Sequence, residues 1–164
     1  MVWFLMVSLL IAADQILKAL IVTNVSPDRS VPVIQGFFFL VNRTNRGGAW
    51  SLLADYEWGL ALLIVVSGIA SVILAVLLVR WRVTPLRICM AVILAGSVGN
   101  LIDRIFQRGV TDYLSFHFWT YEFPTFNFAD TLIVCGTITM ILFLLIHPDW
   151  LSSDREDGRR VDPK

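Results

Sequence analysis

The chain has 164 residues, 57% of them hydrophobic, with 13 basic and 13 acidic side chains and a mean hydropathy of +0.73. A soluble domain of this length is about half apolar, so the composition points to a membrane protein. The balanced charge argues against a polybasic nucleic-acid surface.

A bilayer span needs roughly 20 mostly apolar residues, and four segments qualify, at about 2–22, 58–79, 86–106 and 128–147. The first does not read as a cleaved signal peptide. It lacks a basic n-region, stays apolar past signal-peptide length and carries Asp14 and Lys18. Those two sit four apart on one helical face, acid before base, which is the better order for such a pair. The favoured reading is a structural ion pair that neutralises itself and lets Lys18 snorkel outward.

An insert of about 23–57 follows, too long for a plain connector. Ser26-Pro27-Asp28 reads as a turn, and the stretch from Val31 to Val41, punctuated by Pro32 and Gly36, reads as one or two short strands. Residues 42–48 read as a turn cluster and 49–53 as a short interfacial helix. The second span ends at Arg80-Trp81-Arg82 and Arg87 starts the third. Three arginines without an acid place that short loop in the cytoplasm. Both termini then lie inside and the insert outside, although Arg29, Arg43 and Arg46 in the insert vote the other way.

In the third span Gly96, Ser97 and Gly99 offer a small-residue face for helix packing. Asn100, Asp103 and Arg104 follow within a turn or so, too dense a polar group for a lipid-facing helix, so they are expected to point into a polar cavity. Gly109 is expected to end the helix. The loop beyond it holds Tyr113, Phe116, Phe118, Trp119, Tyr121 and Phe123. Such rings form an aromatic belt at the headgroup layer, or else a shallow apolar surface for a lipid-bearing or helical substrate. Cys89 and Cys135 lie at different depths, beyond the ~7 Å limit for a disulfide, and read as small core residues. The membrane domain spans 1–148, and 149–164 read as a polar, disordered cytoplasmic tail.

Three carboxylates lie near the outer face: Asp103, Asp112 and Asp130. Asp103 would lie ~13 Å deeper than Asp112 on an unbroken helix rising 1.5 Å per residue, whereas Asp130, in the first turn of the fourth span, matches the level of Asp112. Two such groups in contact share one proton. One can activate a water while the other polarises a peptide carbonyl, the division of labour of aspartic proteases. Other hydrolytic chemistry is poorly supplied. His117 and His147 fall on opposite sides and no H-E-x-x-H or cysteine cluster exists, so neither a zinc site nor any other cofactor is expected. His117 sits in no nucleophile motif, and a serine–lysine dyad would need the already paired Lys18. On the residues alone an intramembrane hydrolase and a small proton-coupled transporter or channel both stay open. The lack of ionisable groups in the inner halves of spans two to four favours the hydrolase. A non-catalytic assembly factor would not need two aspartates at matched depth.

Five ordered blocks resemble the lipoprotein signal peptidase family, the type II signal peptidases of bacteria, over about residues 8–147. They are Ala13-Asp14-Gln15-Ile16-Leu17-Lys18; Asn42 through Trp50; Gly96-Ser97-Val98-Gly99-Asn100-Leu101-Ile102-Asp103-Arg104; Val110-Thr111-Asp112-Tyr113; and Phe123 through Asp130. The resemblance implies an all-α membrane protein of four transmembrane helices with a small extracytoplasmic β-cradle and an interfacial helix. It implies an aspartic endopeptidase of the plasma (inner) membrane that cleaves prolipoproteins just before a diacylglyceryl-modified cysteine. Asp112 and Asp130 match the catalytic dyad. Asn45, Asn100, Arg104 and Asn127 match positions that line the site or contact substrate, and Asp14, Lys18 and Asp103 match supporting positions. The implied partners are the lipidated prolipoprotein and membrane lipids, with the enzyme expected to act as a monomer. The family usually has Asn-Thr-Gly-Ala-Ala where this chain has Asn45-Arg46-Gly47-Gly48-Ala49, paired glycines where it has Ala95-Gly96, and Phe where it has Tyr113. None of these departures removes a carboxylate.

Overall fold

A computed structural model describes residues 1–48 and 52–150. Four helices long and apolar enough to cross a membrane carry the fold: α1 (Val2–Asn24), α2 (Gly59–Arg80), α3 (Thr84–Gln107) and α4 (Phe128–Ile146). Each lies within a few residues of its expected span. α3 is the hub and packs against α1, α2 and α4. Half of its span is buried, against 22% for α1 and 11% each for α2 and α4. That difference follows from composition: α2, and α4 beyond its first turn, are largely apolar and can face lipid, whereas α3 carries the polar residues and glycines that must be enclosed.

The glycines set how closely the helices approach α3. A Cβ on Gly96 would collide with the Ala129 carbonyl oxygen of α4, and one on Gly99 would stand 2.6 Å from Asp14 Oδ2 of α1. Ser71 of α2 and Ser97 of α3 add a hydroxyl–hydroxyl hydrogen bond of 2.9 Å, the kind of polar tie that substitutes for hydrophobic drive between membrane helices. Towards the opposite end, Val7, Leu78, Leu86, Met90, Ala91, Leu94 and Ala95 form an apolar core.

A four-stranded antiparallel sheet caps one end of the bundle, in the order β1 (Val31–Ile34), β2 (Phe38–Asn45), β3 (Val110–Phe118) and β4 (Tyr121–Glu122). It is stitched from two loops far apart in sequence, with Arg43 opposite Asp112 and Asn45 opposite Val110. Ile21, Val25 and Tyr113 pack together and fasten the sheet to α1.

Several expectations change here. Residues 42–45 continue β2 rather than forming a turn, and the aromatic loop after α3 is strand from Val110. Gly109 does not itself stop α3. Arg108 takes the left-handed C-terminal position at φ 57°, and a Cβ on Gly109 would come within 2.6 Å of Thr44 Cγ2 on β2. Cys89 is buried, but Cys135 is exposed and so is no core residue. Part of the expected interfacial helix, 49–51, lies outside the described residues, as do 151–164 of the tail; residues 52–55 form a turn.

Candidate active site

Asp130 enters the site through the way α4 begins. Asn127 is the N-cap, and its Oδ1 accepts the backbone N–H of Asp130 at 2.9 Å while Asp130 Oδ2 accepts the backbone N–H of Asn127 at 3.1 Å. This reciprocal capping box satisfies two N–H groups that a helix start leaves without partners. It also fixes the Asp130 side chain at the positive end of the helix. The other oxygen, Oδ1, accepts from Asn100 Nδ2 of α3 at 2.7 Å.

Asp112 arrives from β3. Its Oδ1 accepts from Asn127 Nδ2 at 2.8 Å and its Oδ2 from Asn45 Nδ2 at 3.0 Å. Asn45 is held in turn by the backbone N–H of Gly47, which donates to its Oδ1. Asn127 therefore touches both aspartates, through its amide to Asp112 and through its backbone to Asp130. Asp112 is only 2% exposed. Burial pushes its carboxyl up from 3.8 to about 6, with the nearby Asp130 charge adding to the rise and the Asn45 and Asn127 hydrogen bonds opposing it.

Behind the pair lies a buried polar cluster. Lys18 Nζ is 2.8 Å from Asp14 Oδ2, 3.0 Å from Asp103 Oδ2 and 3.0 Å from Asn100 Oδ1. Lys18 is 1% exposed, so the expected outward snorkelling is overturned. The cause is a second carboxylate and an amide on α3, which the sequence of α1 alone does not show. Asp103 lies at 0% exposure and serves this cluster, as its expected depth implied. Gln15 was missed. Its Nε2 donates to Asp103 Oδ1 at 3.0 Å, to the Gly99 carbonyl at 3.2 Å and to Asp14 Oδ2 at 3.2 Å. Its signals were its place in the first of the five blocks and an amide inside an apolar span, three residues before Lys18.

A cavity of about 670 Å³ opens over the two aspartates. Asn45, Asn100, Arg104, Asp112 and Asp130 form its polar wall; Phe123, Pro124, Phe126, Ile133 and Val134 form its apolar one. The size suits a small ligand or a short peptide segment. Arg104 Nη2 donates to the Gly47 carbonyl at 3.3 Å, while its buried Nε has no partner among the described residues. Of the nine site residues expected from sequence, Asn45, Asn100, Arg104, Asp112 and Asp130 line this cavity, Asp14, Lys18 and Asp103 form the cluster behind it, and Asn127 is buried between the two aspartates. His117 joins none of these. Its Nε2 faces Ser115 Oγ at 3.0 Å, but Ser115 is fully buried and Glu122 approaches that same ring nitrogen at 4.0 Å. A triad needs its acid on the other nitrogen.

The sequence model of the family described as signal peptidase (SPase) II matches residues 6–146. A lipoprotein signal peptidase of Bacillus pumilus is 33% identical over 146 residues, covering 89% of this chain and 94% of that protein. Two solved structures, each described as a bacterial membrane enzyme, share the fold. One gives a TM-score of 0.78 at 24% identity over 99% of this chain and 94% of its own. The other gives 0.76 at 26% identity over 88% and 92%.

Proposed function

Because the chain belongs to the signal peptidase II family, membrane peptidases that remove signal peptides from prolipoproteins, we propose that Asp112 and Asp130 are its catalytic pair. The observation that carries this reading is Asn127, whose hydrogen bonds reach both carboxyl groups and bring aspartates from β3 and α4 to one cavity floor. Buried carboxyls so close cannot both ionise freely, and they titrate as a pair holding one proton over an intermediate range.

In the proposed reaction Asp130, whose carboxyl is seated at the positive end of the α4 helix, takes a proton from a water. Asp112 carries the shared proton and donates it in a hydrogen bond to the scissile carbonyl oxygen. Water attacks the carbonyl carbon, and a proton then passes to the departing peptide nitrogen as the C–N bond breaks. Arg104, a cation in the cavity wall, is suited to hold a substrate carbonyl. The apolar wall suits the signal-peptide side chains, and lipid chains on the adjacent cysteine can remain in the bilayer. The arginine-rich loop between α2 and α3 supports placing this site at the extracytoplasmic face of the plasma membrane.

The test is cleavage of a lipidated preprotein by detergent-purified protein. Asp112→Asn and Asp130→Asn should each lower turnover by roughly 10²–10⁴-fold, the range for losing a general acid or base, with both variants still inserted and folded. Near-normal turnover in either would sink the pair. In the wild type, kcat/KM should fall as pH rises through about 6, where Asp112 gives up the shared proton.

A further inference from the structure

Lys18 has three ammonium N–H groups and three buried partners, and each partner leads to a different part of the aspartate pair. Asp14, the first partner, uses its other oxygen to accept the backbone N–H of Ala129 at 3.1 Å, one residue before Asp130. Asp103, the second, accepts the backbone N–H of Thr111 at 3.2 Å, one residue before Asp112. Asn100, the third, accepts a Lys18 N–H on Oδ1 and donates its own amide N–H to Asp130 Oδ1. We infer that Lys18 is a positioning residue for proteolysis, a single buried cation that acts through Asp14, Asp103 and Asn100 to hold both catalytic carboxyls in register. This deepens the aspartic reading above and rests on it.

A self-neutralising pair within α1 would need only Asp14. The geometry does more. Two buried carboxylates from α1 and α3 converge on one cation, and each grips the main chain next to one aspartate of the pair. A carboxylate left buried without its cation is strongly unfavourable, so loss of Lys18 loosens both grips together. Displacing a reacting group by about 1 Å can cost on the order of 10² in rate. The charged groups around this cluster are Asp14 from α1, Asp103 and Arg104 from α3, Asp112 from β3 and Asp130 from α4. Among them the Lys18 charge draws the Asp112 carboxyl downward against burial and Asp130.

The experiment compares wild type and Lys18→Met, as full-length protein in detergent, acting on a lipidated preprotein. Lys18→Met should lower kcat roughly a hundredfold with KM changed by less than about twofold. The pH limb near 6 should move upward. A purely structural role would reduce the folded fraction but leave the limb, and the turnover of each folded molecule, where they were. That result overturns the inference. If Lys18→Met does not fold, Lys18→Met with Asp14→Asn and Asp103→Asn removes the stranded charges and keeps an oxygen for each backbone N–H. Low turnover with a displaced limb in that variant supports the inference, and normal turnover overturns it. If the wild type itself fails to cleave, the peptidase reading is what falls. The Lys18 coupling is then read from infrared titration of the Asp112 carboxyl: an upward shift in Lys18→Met supports it, and an unmoved titration overturns it.

Discussion

The carboxyl of Asp112 is costly to the fold as well as suited to the proposed chemistry. Its folded value of about 6 lies above the ordinary 3.8, so the folded state binds its proton more tightly than the unfolded chain does. The linked stability is fully present below about pH 4 and is lost as pH rises through about 6. At one unit per ~1.4 kcal/mol, the cost at neutral pH is roughly 3 kcal/mol. Asp112→Asn cannot ionise and should lose this slope, although its amide must face one donor from Asn45 or Asn127. Thermal midpoints in detergent at pH 4 and pH 8 check it. The wild type should fall between the two values by more than the variant, and parallel curves would contradict the assignment.

Between helices, the contact that matters most to the site is α3 against α1 and α4. Gly99→Ala would set a methyl 2.6 Å from Asp14 Oδ2, pressing on the cluster behind the pair. It should destabilise by ~1–3 kcal/mol, as overpacking does, and reduce cleavage. Gly68 of α2 has nothing within 4 Å of a built Cβ, so Gly68→Ala should be neutral or slightly stabilising from helix propensity. Side-by-side thermal melts and cleavage rates of the two variants separate the cases. Elements differed in how legible they were. The spans could be read because an apolar run of this length has few other uses. β3 could not, since it lies inside the sheet between β2 and β4 and packs against both α1 and α3. Val110, Thr111, Asp112 and Tyr113 are all buried in succession, and the period-2 signal of a strand is absent. Asp112 and Asp130 were readable as a pair from matched depth. The convergence on Lys18 was not, because its second and third partners lie 85 and 82 residues away and no local pattern brings them together.

At the scale of the whole molecule, substrate must reach a site enclosed by helices that are themselves largely lipid-facing. Each buried methylene of a lipid anchor contributes about 0.8 kcal/mol, so diacylglyceryl chains should dominate localisation. An unlipidated prepeptide should therefore be cleaved far more slowly than the lipidated one in the same micelles. Equal rates would favour a general intramembrane protease. Prolonged chelation should leave cleavage unchanged, since among the described residues no three His, Cys, Asp or Glu side chains converge as a metal site. Activity lost to a chelator and restored by zinc would contradict the carboxylate mechanism.

The sheet that joins two distant loops has a consequence for biosynthesis. Asn45 leaves the ribosome before α2, Asp112 after α3, and Asp130 only with the last span. β2 cannot find β3 until two further helices have crossed the bilayer, and Asp112 has no Asn127 to meet until α4 begins to insert. A nascent chain halted before the fourth span thus holds one aspartate of the pair and none of the cap that orients the other. If Asp112 and Asp130 act as proposed, the chain gains proteolytic competence only once its last span is in place.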